Sequence, residues 1–158
     1  MKIAVYPGTF NPITNGHTDL VERASGLFDK VIVAVVGNNR LKSNTLSTVQ
    51  RVELAEQVLS HVENAEVCAF DTLLTEFVSK CNANIILRGL RTVADFEYEF
   101  QLAGMNRKLD KTIETVFLMS AVDKQVISSK FVKEIAKLNG KIDNFVTKST
   151  VRAIKNKI

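Results

Sequence analysis

YPGTFNPITNGH, residues 6–17, joins a short apolar run, KIAV at residues 2–5, to an amphipathic run, TDLVERASGLF at residues 18–28. The apolar run predicts a first strand, and the spacing of the second run predicts a first helix. The connecting segment matches neither the phosphate-binding GxxxxGK(S/T) pattern nor the dinucleotide-binding GxGxxG pattern. Its chemistry therefore has to be inferred from its individual residues.

The connecting segment has the features of an anion-binding turn. Gly8 and Thr9 offer backbone donors directly after the strand, and Gly16 allows the chain to turn closely into the helix. A helix N-terminus carries partial positive charge and attracts phosphate groups. His17 falls in the first helical turn, so its imidazole is expected beside the bound anion. A helix-capping turn with an incidental histidine is the alternative interpretation.

The composition is that of one globular domain, which we expect to span residues 1–158. Hydrophobic residues make up 46% and charged residues 24% of the chain. No run approaches the roughly 18 apolar residues of a membrane span, and the amino terminus has no signal-peptide pattern, so we expect a cytoplasmic protein without a membrane partner. Cys68 and Cys81 fit neither a disulfide framework nor a CxxC metal site, and we expect both to be small buried hydrophobic residues.

The net charge of +4 is concentrated near the carboxyl end, where residues 130–158 hold eight Lys/Arg and two Asp/Glu. We expect this segment to be helical and basic. Such a segment suits nucleic acid, phosphorylated small molecules or a solvated helix face. The chain has no aromatic-rich basic face and no nucleic-acid motif, and we therefore expect no nucleic-acid partner.

Short runs rich in Val and Ile alternate with helical patterns along the whole chain. The predicted strands are Lys2–Tyr6, Val31–Val36, Ala65–Phe70, Asn84–Leu87 and Thr115–Met119. The predicted helices carry apolar residues between Leu20 and Phe28, Val52 and Val62, Leu74 and Cys81, Phe96 and about Leu109, and Phe131 and Leu138, with a last short helix at Thr150–Ile158. Ser47 and Gln50 predict a capping box, and Gly140 predicts a helix end.

This alternation predicts an α/β fold, a Rossmann-like, doubly wound, five-stranded parallel sheet in a single domain. In such sheets ligands bind beyond the carboxyl ends of the strands. The loops that follow the strands are therefore the place to look for chemistry.

Three further loops carry groups that suit phosphate. Arg88 and Arg91 flank Gly89 after the fourth strand, and guanidinium groups match phosphate oxygens. Surface pairing of these arginines with Asp95 or Glu97 is the alternative. Arg40 and Lys42 follow the second strand, and Ser128, Ser129 and Lys130 open a helix after the fifth. No loop offers a covalent nucleophile with a positioned base, so the pattern predicts a site that holds polyphosphate and stabilises charge at phosphorus.

The segments YPGTFNPITNGH, RGLRTVADFEYEFQLAGMNR (residues 88–107) and ISS (residues 127–129) together resemble the bacterial phosphopantetheine adenylyltransferase family, whose superfamily is marked by (T/H)xGH. The resemblance runs from Met1 to about Phe145. It implies transfer of AMP from ATP to 4′-phosphopantetheine, which gives dephospho-coenzyme A and pyrophosphate in the penultimate step of coenzyme A synthesis. It also implies Mg²⁺ held mainly by ATP phosphates, inhibition by coenzyme A, and a homohexamer built as a dimer of trimers.

The resemblance also implies roles for individual residues. Thr9 and Lys42 would orient the phosphate of phosphopantetheine, Arg88 would bind the same substrate, and Leu74 would line its arm. His17 would stabilise the pentacovalent α-phosphorus, and the implied catalytic residues are His17, Lys42 and Arg91. The residues implied to contact ATP are Thr9, Phe10, His17, Gly89, Leu90, Arg91, Glu99, Lys124, Gln125, Val126, Ile127, Ser128, Ser129 and Lys130.

Some positions depart from the family pattern. The loop GNNRLKSNT lacks the usual proline and is one residue longer, which leaves open whether Arg40 or Lys42 orients the phosphate. Lys124 stands where an aromatic residue is common, Lys130 replaces a third serine, and Asn11 replaces an aspartate. Other acceptors, such as nicotinamide mononucleotide or a phosphorylated alcohol in cytidylyl transfer, stay as alternatives. A nucleic-acid module and a catalytically silent nucleotide sensor are the non-enzymatic alternatives.

Overall fold

The computed structural model describes residues 1–37 and 44–157, and in these ranges strands and helices alternate along the chain. The elements, in chain order, are β1 (Ile3–Gly8), α1 (Asn15–Ser25), β2 (Lys30–Val36), α2 (Thr48–Leu59), β3 (Ala65–Phe70), α3 (Leu74–Lys80), β4 (Ile85–Leu90), α4 (Val93–Leu109), β5 (Glu114–Met119), a single 3₁₀ turn (Val122–Lys124), α5 (Ser129–Lys137) and α6 (Lys148–Lys155).

The five strands form one parallel sheet in the order β3-β2-β1-β4-β5. The chain builds outward from β1 through β2 to β3, then returns to the other side of β1 for β4 and β5. This reversal beside the central strand confirms the predicted doubly wound α/β fold. None of the helices in the described ranges combines the length and apolar character needed to cross a membrane.

Alternating side chains of β1 reach the two faces of the sheet. Ala4 and Tyr6 join a core that includes residues of α1, α2, α5 and α6. Ile3 and Val5 join a second core on the opposite face, which includes Val78 of α3. Both faces of the central strands are therefore buried, which explains why their sequences are continuous apolar runs.

Two strand ends lie further along the chain than the sequence pattern predicts. β1 extends to Gly8, and β4 extends to Leu90 and includes Arg88, which was expected in a loop. Arg88 pairs in register with Phe117 of β5, so the strand continues through a charged residue. Apolar patterning misses this extension because the Arg88 charge is neutralised by a side chain of α4, as described below.

The helix ends follow local hydrogen bonding. The predicted capping box is confirmed: Ser47 accepts a hydrogen bond from the Gln50 N–H, and Gln50 Oε1 accepts one from the Ser47 N–H. At the end of α5 the left-handed residue is Asn139, with φ of 58°, one position before the predicted Gly140. The Gly140 N–H then donates to the Ile135 carbonyl. α6 begins at Lys148, two residues earlier than expected, because Thr147 caps it.

Candidate active site

An open cleft of about 690 Å³ lies beyond the carboxyl ends of β1 and β4, where the chain reverses direction in the sheet. These two strands pair only at Ala4–Ile85 and Val5–Ile86. The strand segments beyond these pairs line the cleft together with the start of α1 and the segment before α5. This is the position where ligands bind in open α/β sheets.

The cleft brings together most of the residues singled out in the sequence. Its lining includes Thr9, Phe10, His17, Arg88, Gly89, Arg91, Glu99, Lys124, Ile127, Ser128, Ser129 and Lys130. Three implied ATP contacts do not line it, namely Leu90, Gln125 and Val126. Leu90 is buried and Val126 is exposed. Lys42 and Arg40 lie outside the described residues.

Gly8 and Phe10 together shape the loop after β1. A Cβ atom at Gly8 would lie 2.8 Å from the Phe10 ring, so only glycine fits under this side chain. Phe10 itself is buried and has a φ of 48°. Its ring contacts those of Tyr6 and His17 edge-on, with centroids 5.4 and 5.0 Å apart. The aromatic packing fixes the backbone that faces the cleft.

The His17 imidazole is both a helix cap and a cleft-lining group. It occupies the third position of α1, and its Nδ1 accepts a hydrogen bond of 3.0 Å from the Thr14 N–H. Because a backbone N–H is always a donor, Nδ1 carries no proton in this arrangement. The neutral ring therefore carries its proton on Nε2, as a hydrogen-bond donor.

The surroundings of His17 hold its pKa far below the ordinary value. Burial among aromatic rings, and then the positive charges of Arg91 and Arg88, lower the pKa of His17 from 6.5 to about 4. His17, Arg88 and Arg91 line the same cleft, and nearby cations disfavour the protonated imidazole. At neutral pH the ring is uncharged, and its Nε2–H is available as a hydrogen-bond donor.

Nuclear magnetic resonance can check this state directly, because the chain has two histidines. We expect the ¹⁵N shifts of the His17 ring to report the Nε2–H tautomer and a pKa of about 4. Since this folded-state pKa lies below the unfolded value of 6.5, the free energy of unfolding should decrease as the pH falls through this window. Pyrophosphate should raise the pKa of His17. A His61→Gln variant assigns the signals, and a His17 midpoint at or above 6.5 would contradict the electrostatics.

Arg88 is held by a carboxylate of α4. Its Nε donates to Glu99 Oε2 at 2.7 Å, its Nη2 donates to Glu99 Oε1, and its Nη1 donates to the Pro7 carbonyl at 2.7 Å. Burial lowers the pKa of Arg88, but the hydrogen bond and charge of Glu99 outweigh burial and raise it. The acidic partner is thus Glu99 and not Glu97. The pair still lines the cleft.

Arg91 is also paired, to Asp95 one turn along α4. Its Nε and backbone N–H both donate to Asp95 Oδ2 at 3.1 Å, and its Nη1 donates to the Ile127 carbonyl at 3.3 Å. The sequence analysis treats an ion pair and a place in the cleft as alternatives for Arg91. In the structure Arg91 has both. The Ile127 contact links the end of β4 to the segment before α5.

Two serine hydroxyl groups in the cleft have structural partners. Ser128 Oγ accepts the Phe131 N–H at 3.2 Å, and Ser129 Oγ donates to the Pro12 carbonyl at 2.7 Å. Thr14 Oγ1 lies 3.1 Å from His17 Nδ1, but that nitrogen already accepts the Thr14 N–H. Over residues 1–37 and 44–157, the cleft thus holds no hydroxyl paired with an available base.

The charge balance of the cleft favours polyanions. Five cationic side chains and two carboxylates belong to its described lining. The cations are Arg88, Arg91, Lys124, Lys130 and Lys133. Both carboxylates, Asp95 and Glu99, are bound to arginine. No cluster of three or more His, Cys, Asp or Glu side chains suited to a metal occurs in the part of the chain that the structure describes.

A second cleft of about 420 Å³ adjoins the first and is largely apolar. Its walls include Phe70, Leu74 and Leu102, and it shares Pro7, Gly8, Thr9, Arg88 and Glu99 with the cationic cleft. The two clefts thus meet at one arginine and one loop. Leu74, implied to line a substrate arm, belongs to this apolar cleft.

The cleft lining also includes Tyr6, Asn44 and Lys133, to which the sequence analysis assigned no role. Burial, which outweighs the nearby Arg88 and Arg91, raises the pKa of Tyr6 to about 12, so its hydroxyl stays protonated. Asn44 Oδ1 accepts a hydrogen bond of 3.1 Å from Asn11 Nδ2. Lys133 lies one helical turn after Lys130, and this spacing predicts that both lysines lie on the same face of α5.

Comparisons with known proteins agree on the family and on the class of the fold. The profile of the family described as cytidylyltransferase-like matches residues 5–135. A phosphopantetheine adenylyltransferase from Pelagibacter ubique is 52% identical, covering 99% of this chain and 98% of that protein. One from Clostridium botulinum is 50% identical over 96% of this chain and 94% of its own length. A solved structure from Vibrio parahaemolyticus, provisionally assigned as a nicotinate-nucleotide adenylyltransferase, superposes with a TM-score of 0.76 at 17% identity, covering 99% of this chain and 93% of that one.

Proposed function

This chain belongs to the phosphopantetheine adenylyltransferase family of the cytidylyltransferase-like enzymes, and from that premise we propose that it transfers AMP from ATP to 4′-phosphopantetheine by direct in-line attack. The products are dephospho-coenzyme A and pyrophosphate. The observation that carries the proposal is the meeting of a cationic cleft and an apolar cleft at Thr9 and Arg88. The cationic cleft suits the triphosphate, and the apolar cleft suits the pantetheine arm.

The first task of the site is to bring two anions together. Arg88, Thr9 and Lys42 hold the phosphate of phosphopantetheine, and Arg91 with the N-terminus of α5 holds the ATP phosphates. Without these charges the reactants would repel each other at contact distance. The Arg88 guanidinium keeps its charge because Glu99 stabilises it.

The chemical step needs no enzyme nucleophile. A phosphate oxygen of phosphopantetheine forms a bond to the α-phosphorus while the bond from that phosphorus to the bridging oxygen of pyrophosphate breaks. The electron pair of the breaking bond leaves with pyrophosphate. His17 donates from Nε2 to the oxygens whose charge grows in the transition state, which is the contribution of a preorganised donor. Its low pKa suits a neutral donor.

We propose that Mg²⁺ arrives with ATP and is held mainly by the nucleotide phosphates. The donor set fits this arrangement because Asp95 and Glu99 are engaged by arginines. The ion would supply charge neutralisation at the phosphates.

Coenzyme A shares the pantetheine arm of the substrate, so we propose that it inhibits by competing for the same clefts, in the cytoplasm where ATP is available. Adding coenzyme A to the turnover assay below should raise the KM for phosphopantetheine, and an unchanged rate would contradict this.

We propose that the working form is a homohexamer built as a dimer of trimers. Helix α4 supports an assembly because its apolar side chains are exposed on the single chain, with Tyr98 62%, Phe100 64% and Met105 58% exposed. Phe96 and Phe100, whose spacing indicates this helix in the sequence, are both substantially exposed. Such a row of exposed apolar residues marks a protein contact. Sedimentation should give a particle of six chains, and a monomer at micromolar concentration would contradict this.

Pyrophosphate release measures the proposed reaction. We expect release from ATP only when 4′-phosphopantetheine is present, in a one-to-one ratio with dephospho-coenzyme A. Nicotinamide mononucleotide with ATP, and a phosphorylated alcohol with CTP, are the matched acceptor controls, and we expect rates at least about a hundredfold lower with both. If either control acceptor gave a faster rate than 4′-phosphopantetheine, that acceptor would be identified as the substrate instead.

A further inference from the structure

Arg51, in the first turn of α2, is completely buried within the protein. Its Nη1 donates to two backbone carbonyls, those of Thr9 and Val36, both at 2.7 Å. Its Nη2 donates to Thr48 Oγ1 at 3.0 Å, and its Nε has no partner among the described residues. Burial lowers the pKa of Arg51, and no carboxylate of the described ranges pairs with it. A buried charge without an opposite charge is costly.

The carbonyls that Arg51 holds belong to neighbouring parts of the site. Val36 ends β2, and Thr9 follows β1 in the loop that lines both clefts. A planar guanidinium reaches both oxygens and the Thr48 hydroxyl at once, which a single ammonium group cannot match in geometry. Arg51 therefore fastens the loop after β1 to the end of the adjacent strand.

The bond to the Thr9 carbonyl also sets the direction of the next amide. The Thr9–Phe10 peptide bond is trans, since the described cis bond is that between Asn11 and Pro12. In a trans peptide the C=O and N–H groups point in opposite directions. Because the Thr9 carbonyl points inward to Arg51, the Phe10 N–H points away from it. No described protein group accepts a hydrogen bond from this N–H.

We propose that Arg51 is a positioning residue that, by holding the Thr9 carbonyl, aims the Phe10 N–H into the cleft as a donor to a phosphate group. The inference rests on the proposed function only in taking that phosphate to be part of the nucleotide. The left-handed conformation of Phe10, with φ of 48°, supports it, because successive N–H groups around such a residue form an anion-binding concavity. Arg51 itself touches no reactant.

Isotope labelling can isolate this one peptide unit. Thr9–Phe10 is the sole Thr-Phe pair in the sequence, so protein labelled with ¹³C-carbonyl threonine and ¹⁵N-phenylalanine gives a single carbonyl–amide correlation. The carbonyl shift reports the bond to Arg51, and the amide proton shift reports an acceptor in the cleft. Titration with pyrophosphate, which requires no turnover, should move the Phe10 amide proton downfield in a saturable manner.

Three variants make the test specific. In Arg51→Met we expect a changed Thr9 carbonyl shift, loss of the Phe10 response and a weakening of pyrophosphate binding by about tenfold or more. Arg51→Lys, which keeps the charge without the planar fork, should recover part of the response. Arg152→Met, the same substitution at an exposed position of α6, should behave as the wild type.

The outcomes separate positioning from stability and from the proposed function. A folded Arg51→Met protein with the wild-type Phe10 response and affinity would overturn the inference, because a purely structural arginine alters only the melting temperature. If Arg51→Met does not fold, a full response in Arg51→Lys overturns it instead. A wild-type Phe10 amide that ignores pyrophosphate also overturns it, even when the pyrophosphate-release assay confirms the proposed function.

Discussion

Replacing His17 by alanine is expected to lower kcat by a hundred- to a thousandfold, about 3–4 kcal/mol of transition-state stabilisation, with little change in the affinity for ATP. The reason is that, in the proposed reaction, the Nε2 donor faces charge that grows only as pyrophosphate leaves. Steady-state kinetics with ATP and 4′-phosphopantetheine give kcat, and equilibrium binding gives the ATP affinity. Both quantities are measured because, if His17 already contacted ATP in the ground state, its loss would lower the ATP affinity as well as the turnover.

A matched variant separates the chemistry of His17 from its capping role. His17 Nδ1 accepts the Thr14 N–H, so alanine also removes a helix cap worth about 1 kcal/mol of stability. Glutamine at the same position forms a standard capping box with threonine. His17→Gln should therefore recover the melting temperature without recovering kcat. His61→Ala serves as the histidine control, and near-wild-type turnover in His17→Ala would refute the catalytic role.

Replacing Arg88 by methionine is expected to lower both stability and turnover. Glu99 is 8% exposed and would lose its bidentate partner, leaving a carboxylate unpaired in the protein. Because Arg88 keeps some solvent contact, we expect a loss of about 2–4 kcal/mol in the free energy of unfolding. Turnover should fall by at least about a hundredfold, since the phosphate of the acceptor loses its cation. Urea unfolding and steady-state kinetics measure the two effects.

A double variant tests the cause of the instability. Arg88→Met combined with Glu99→Gln removes both charges, and it should regain most of the lost stability while remaining inactive. The exposed pair of Arg107 and Glu114 is the comparison, and Arg107→Met should change stability by less than about 1 kcal/mol. If the double variant were no more stable than Arg88→Met, the Arg88–Glu99 pair would not be the source of the effect.

The order of the elements was predictable because each strand is a short run rich in apolar residues, and in the central strands β1 and β2 this run is buried on both faces. The Ala65–Phe70 strand was predicted with its observed bounds. β4 was ended too early, since Arg88 looks like a loop residue until Glu99, eleven positions away, is known to neutralise it. Likewise, Phe100 belongs to a row of apolar residues at helical spacing in α4, yet it is exposed. An exposed apolar face produces the same spacing as a core face, so the spacing alone does not predict which face is buried.

The site was predictable to the extent that chain order fixes which loops share a sheet edge. The convergence of His17, Arg88 and Arg91 follows from two neighbouring parallel strands, β1 and β4, that end at one rim. Arg51 was missed because arginine is ordinarily exposed. Its position in the sequence could have indicated burial, since Arg51 occupies the apolar face of α2 together with Leu54 and Ala55. The role of Lys42 stays a prediction because it lies outside the described residues.

The account requires both anionic reactants to occupy one cleft and to react in a single displacement at the α-phosphorus. ATP carrying sulfur at that phosphorus makes the centre chiral, and the configuration of the thio-analogue of dephospho-coenzyme A can be read by ³¹P resonance. A single in-line attack predicts inversion. Retention would contradict the account, because it requires two displacements through an adenylylated side chain of the enzyme.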